Sequence, residues 1–103
     1  MDLETLKNQL LTTGLPVAYR AFPEGEAPPL PFVCYLSTGN DPLFADGQVY
    51  YDYDHVRVEL YTASKDLPTE RLVETALAGH HWKKDETYID SERCYLIIYE
   101  IEV

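Results

Sequence analysis

The sequence predicts an α+β fold: an antiparallel sheet of four to five strands with two helices packed on one face, in the order α-β-β-β-α-β-β. Three observations carry that expectation. Leucine and valine recur at helical spacing near the N-terminus and again between residues 67 and 77. Residues 55–61 and 94–103 alternate at strand spacing. Glycine- and proline-bearing stretches separate these segments at the right places for turns.

The first helix rests on Leu3, Leu6, Leu10 and Leu11 within residues 3–13, and Gly14 and Pro16 end it. Residues 17–22 (VAYRAF) predict a short strand. Residues 23–31 (PEGEAPPLP) hold four of the seven prolines, which excludes regular structure and stiffens the loop towards polyproline II. Two uses of Pro23, Pro28, Pro29, Leu30 and Pro31 stay open: a rigid connection, or a loop that docks on a neighbouring subunit with little loss of entropy. Residues 32–36 (FVCYL) form the next strand, and residues 37–47, with Gly39-Asn40-Asp41-Pro42 and Ala45-Asp46-Gly47, read as a turn-rich segment.

The run GQVYYDYDHVRVELY at 47–61 is the third strand. Val56, Val58 and Leu60 point one way; His55, Arg57, Glu59 and Tyr61 point the other. Further towards its start Tyr50, Asp52 and Asp54 place polar groups on the apolar parity, so the strand is expected to project beyond the core as one arm of a long hairpin. Asp66 is placed to cap the second helix and Pro68 to fill its first turn. Leu72, Val73, Ala76 and Leu77 supply its apolar stripe, and Gly79 stops it. Residues 82–103 read as a hairpin turning around Asp90-Ser91-Glu92. In its second arm Tyr95, Ile97, Tyr99, Ile101 and Val103 share one face, while Cys94, Leu96 and Ile98 make the other face apolar as well. A strand apolar on both faces is covered on both sides, by its own chain or by another subunit.

At 103 residues the chain is one domain, able to hide roughly 65% of its unfolded surface. A formal charge of −10, with the eight basic residues scattered, disfavours sequence-independent binding to a phosphate backbone. No apolar run approaches the roughly 20 residues of a membrane span, and MDLETLKNQL lacks the basic start and apolar stretch of a secretory signal, so the expected compartment is the cytoplasm. Cys34 and Cys94 lie in apolar runs without CxxC spacing and read as reduced core thiols, with a disulfide or redox pair as the alternative.

No cofactor is expected. His80 and His81 are adjacent and diverge by about 100° on a helix, so they share no metal face and read as residues of a helix C-terminus; a site of His55, Asp54 and one of these histidines is geometrically possible, though no spacing requires it. Ser37, Ser64 and Ser91 stand in turns without a nucleophile elbow, and no glycine-rich phosphate loop is present. Asp52 and Asp54 lie about 7 Å apart on one strand face, which leaves a small enzyme using them with His55 as one hypothesis. Tyr51 and Tyr53, on the opposite parity, point instead to protein contact, because tyrosine supplies large contact area at low entropic cost. The expected subunit-interface residues are Tyr51, Tyr53, His55, Arg57, Leu96 and Ile98.

The leucine-striped first helix, the run VRVELYT at 56–62, Leu72-Val73-Glu74, Trp82-Lys83-Lys84, Tyr88-Ile89 and YLIIYE at 95–100 together resemble a family. It is the tail terminator (tail completion, head–tail joining) group of long-tailed bacteriophages and prophages of Gram-positive bacteria. The resemblance is a diffuse pattern from Leu3 onwards and has no sharp motif. It implies a non-catalytic α+β subunit without cofactor that forms a ring, hexameric when assembled, on the end of the tail tube. The implied partners are the major tail protein and the neck or connector proteins. The implied location is the host cytoplasm during assembly and then the virion neck. The acidity would let DNA pass the lumen without sticking. The alternative is a small acidic module, of prophage or host origin, that binds a basic protein.

Overall fold

The computed structural model describes residues 3–45 and 48–102, and over 40–45 and 48–53 it describes the backbone alone. Seven elements follow in the order α1 (Leu3–Leu11), β1 (Val17–Tyr19), β2 (Phe32–Ala45), β3 (Gln48–Thr62), α2 (Leu67–Ala76), β4 (Lys83–Ile89) and β5 (Cys94–Glu102). The strands form one sheet in the order β1-β2-β3-β5-β4.

Two helices face one side of that sheet because the alternation leaves only one side fully apolar. Leu6 and Leu10 of α1, with Val73 and Leu77 at α2, close over Val33 and Tyr35 of β2, Val56, Val58 and Leu60 of β3, and Ile97, Tyr99 and Ile101 of β5. The register confirms that these strand residues share a face: Tyr35 lies opposite Val58, and Val58 opposite Tyr99.

The sheet is mixed, where a wholly antiparallel one is expected from the sequence. β1 runs parallel to β2, with Val17 opposite Val33 and Tyr19 opposite Tyr35. The proline-bearing connection over residues 20–31 cannot make a tight hairpin, and it is long enough for the crossover of about a dozen residues that a parallel pair needs.

The second departure is larger. Residues 37–45 are not a turn but the continuation of β2, paired with β3 to Ala45 opposite Gln48. Pairing with a long partner overrides the turn propensity of Gly39, Asn40, Asp41 and Pro42. The irregularity survives as register shifts between Ser37 and Gly39 and between Leu43 and Phe44, with Gly39 at φ +144°. Pro42 is tolerated because, among the described residues, no strand pairs with β2's outer edge there.

Asp66 caps α2 as expected: one carboxylate oxygen accepts from the Thr69 N–H at 3.2 Å and the other from its hydroxyl at 2.7 Å. The inward stripe keeps Val73 and Leu77 but holds Glu70 where Leu72 is expected. Leu72 is 48% exposed, while Glu70 is 1% exposed. Glu70 is held there by the ammoniums of Lys84 at 2.6 Å and Lys65 at 2.8 Å. Lys84 also reaches Glu74 at 2.7 Å, the Tyr99 hydroxyl donates to the same Glu74 oxygen at 2.7 Å, and Lys65 bridges on to Glu86. Burial works against the charge on Glu70, but the two ammoniums outweigh it and hold its carboxyl below the usual range. This knot fastens the otherwise exposed β4 to α2.

Candidate functional site

The sheet and the hairpin it emits present three surfaces that the core does not use. The first is the end of the β2–β3 hairpin. β5 accompanies β3 as far as His55 opposite Glu102, and β1 accompanies β2 as far as Tyr35. Beyond, the ladder continues through Asn40–Asp54, Asp41–Tyr53, Pro42–Asp52, Leu43–Tyr51, Phe44–Val49 and Ala45–Gln48 with no third strand among the described residues. At about 3.4 Å per residue these six pairs make an arm about 20 Å long. It stretches the molecule to 50 × 27 × 23 Å and its radius of gyration to 14.9 Å, against about 13 Å for a compact chain of this size.

Tyr51 and Tyr53 occupy the arm's β3 strand opposite Leu43 and Asp41; their side chains lie outside the described residues, as do the expected turn residues Asp46 and Gly47 and the terminal Val103. His55 and Arg57 stand at the arm's base, on the sheet face without helices. His55 Nδ1 is 3.9 Å from Glu102, and the Arg57 guanidinium lies 3.9 Å from Glu100 and 4.0 Å from Glu59. Long distances and substantial exposure make these weak pairs, worth little to folding.

The second surface is that helix-free face. Leu36, Leu96 and Ile98 lie half-buried on it, with no layer of secondary structure above them among the described residues. Its β1-side end is covered by the chain itself: Phe22 meets Phe32 edge-on at 5.1 Å, and Phe32 meets Tyr61 at 5.1 Å. A groove of about 230 Å³ runs between Phe22, Ala27, Cys34 and Tyr61. Burial, with Glu59 close by, pushes the Tyr61 hydroxyl up to about 12 and the Cys34 thiol up to about 11, and burial raises Cys94 as well. Both thiols are reduced and buried. The connection bearing Pro23, Pro28, Pro29, Leu30 and Pro31 is thus the parallel crossover, and Phe22 within it and Phe32 just after it are the ring pair over this face.

The third surface brings His55 together with the histidines after α2, a meeting that no spacing in the sequence requires. An open cleft of about 850 Å³ lies between the base of the arm, the turn after α2 and the last residues of β5, and all three histidines line it. His80 and His81 reach it because α2 ends at Ala76 and Gly79, at φ +92°, turns the chain back towards the sheet. His80 Nε2 sits 3.4 Å from Gln9 of α1, and Trp82 stands edge-on to Tyr99 at 5.5 Å. His55 lies in β3 and His80 and His81 share the turn after α2, so their meeting leaves no spacing signal. Among the described residues no group of three or more His, Cys, Asp or Glu could hold a metal ion, and Asp54 does not line the cleft. No helix among the described residues is long and apolar enough to cross a membrane.

No protein-family model and no curated protein matches the chain.

Proposed function

We propose that this protein is a structural assembly subunit, a phage tail terminator or related neck protein that caps the tail tube and joins it to the head as a ring. The arm is the observation that carries this reading. A two-stranded ribbon is marginally stable at best in water, and its open edges invite another strand or chain, so the arm gains most when another protein covers it. The half-buried Leu96 and Ile98, beside Arg57 on the helix-free face, offer a second contact surface of the kind that association buries. The resemblance drawn from VRVELYT at 56–62 and YLIIYE at 95–100 supplies the biological setting. In that setting the partners are further copies of this chain, the major tail protein and connector proteins, first in the host cytoplasm and then in the virion neck. DNA passes the lumen without specific binding, aided by the charge of −10.

The same charge favours a second reading, an acidic module that binds a basic protein. Light scattering on the purified chain, alone and with tail-tube protein from the same gene cassette, separates the two. Ring-sized species, or tubes capped at fixed length, support the terminator; an 11.8 kDa monomer that ignores the tube leaves the binding module.

A further inference from the structure

We infer that the bulge at Thr38 and Gly39 is a hinge on which the arm swings against the sheet, so that one subunit carries its arm at more than one angle. The inference concerns the free chain and does not depend on which partner covers the arm.

Three restraints end together at this point. On the β3 side, β5 stops at Glu102 opposite His55. On the β2 side, β1 stops opposite Tyr35, and the next tie from the body is the Ser37 N–H, which donates to the Tyr19 hydroxyl at 3.2 Å. Between them the ladder steps from Ser37 opposite Val56 to Gly39 opposite His55, which leaves Thr38 without a ladder partner. A bulge interrupts regular pairing, so bending there disrupts fewer ladder bonds than bending a continuous stretch. The Thr38 hydroxyl does reach across to the His55 carbonyl at 3.3 Å, but this bond is exposed, and water can take its place.

Gly39 supplies the conformational freedom. Its φ of +144° lies where residues with a side chain rarely go, and no atom stands within 4 Å of the place a Cβ would occupy. The glycine therefore serves backbone conformation and not close packing, and the space around it leaves room to turn. A few residues at the end of an element, free to change φ and ψ, are what a hinge requires. The second register shift, between Leu43 and Phe44, comes late in the arm, so bending there moves the tip alone. A turn at Gly39 moves the whole arm, and a lever about 20 Å long amplifies a small change of angle at its base.

Residual dipolar couplings test the hinge in dilute wild-type protein. Amides of residues 56–62 and 94–102 are expected to fit one alignment. Those of 40–45 and 48–54 are expected to fit a paired ribbon whose couplings are scaled down at least about twofold by the swing. Deleting Thr38 removes the extra residue while keeping every pair from Ser37–Val56 to Ala45–Gln48, and it is expected to return the arm to the scale of the sheet. Gly39→Ala, which disfavours the positive φ without a deletion, is expected to move the arm's couplings the same way. Circular dichroism checks the fold of both variants. Arm couplings at full scale in the wild type show a fixed bend and overturn the hinge, as do arm couplings that fit no paired ribbon. A folded Thr38 deletion whose arm stays scaled down overturns it too. If the deletion does not fold, Gly39→Ala decides, and unchanged scaling there overturns the hinge.

Discussion

β3 passes through two environments, and they show what a strand needs to be stable. From Val56 to Thr62 it lies between β2 and β5, with Val56, Val58 and Leu60 sealed under the helices. From Gln48 to Asp54 it has one neighbour among the described residues, β2. The first half is hydrogen-bonded along both edges and also seals its apolar side chains from water, worth about 1.5–3 kcal/mol for each large one; the second half is paired along one edge. One half of the strand is stabilised by its own chain, and on the proposed assembly reading the other gains its full stability in company.

The sharpest break in that comparison comes from the covered half. Leu60→Ala is expected to cost about 2–5 kcal/mol of folding stability, read from urea unfolding, with a matching loss of assembly because the subunit itself weakens. Next comes the charge knot. Lys84→Met leaves the buried Glu70 with Lys65 as its one ammonium and takes a partner from Glu74; loss of about 1.5–3 kcal/mol is expected, the range for hydrogen bonds to charged groups.

The knot also sets a pH dependence. The carboxyls of Glu70 and Glu74 lie below the usual range in the folded chain: burial opposes the charge on both, and Lys84 with either Lys65 or the Tyr99 hydroxyl outweighs it. The unfolded chain therefore binds more protons than the folded one below the ordinary glutamate value of about 4.3, so their contribution is present above that pH and is lost as pH falls through the folded values. Thermal unfolding between pH 6 and pH 3 should show this decline, and Glu70→Gln should flatten it.

Smaller effects belong to the bare surfaces. On a stretch of β3 paired with β2 alone, Tyr51→Ala or Tyr53→Ala is expected to change urea stability by less than about 0.5 kcal/mol, yet weaken association measured by sedimentation; Ile98→Ser should cost folding somewhat more. The smallest expected signal is chemical. Cys34 and Cys94, buried and with raised thiol values, should react with a maleimide only slowly in native protein and at once in urea.

The sequence was most readable where one local force dominates. The Asp66 cap, the stop near Gly79 and the alternation of Val56, Val58 and Leu60 were all visible because cap chemistry and period-two burial act over a few residues. Residues 37–45 misled because Gly39, Asn40 and Pro42 are turn formers locally, and the pairing that overrides them is with residues 48–56, which no local propensity reports. Leu72 misled for a related reason: the inward place went to Glu70, made tolerable by Lys65 and by Lys84, which comes from another element. The cleft was legible only as one possible meeting of His55 with a helix-end histidine, because His55, His80 and Lys83 come together only once the sheet order is set.

Hydrogen–deuterium exchange, resolved by residue, tests the central claim most directly: that the arm is completed by another protein. In dilute monomer, amides of residues 56–62 should exchange orders of magnitude more slowly than those of 48–54, and assembly should protect the second set. Equal protection of both halves in the monomer, or an arm that stays unprotected in the assembled state, would contradict it.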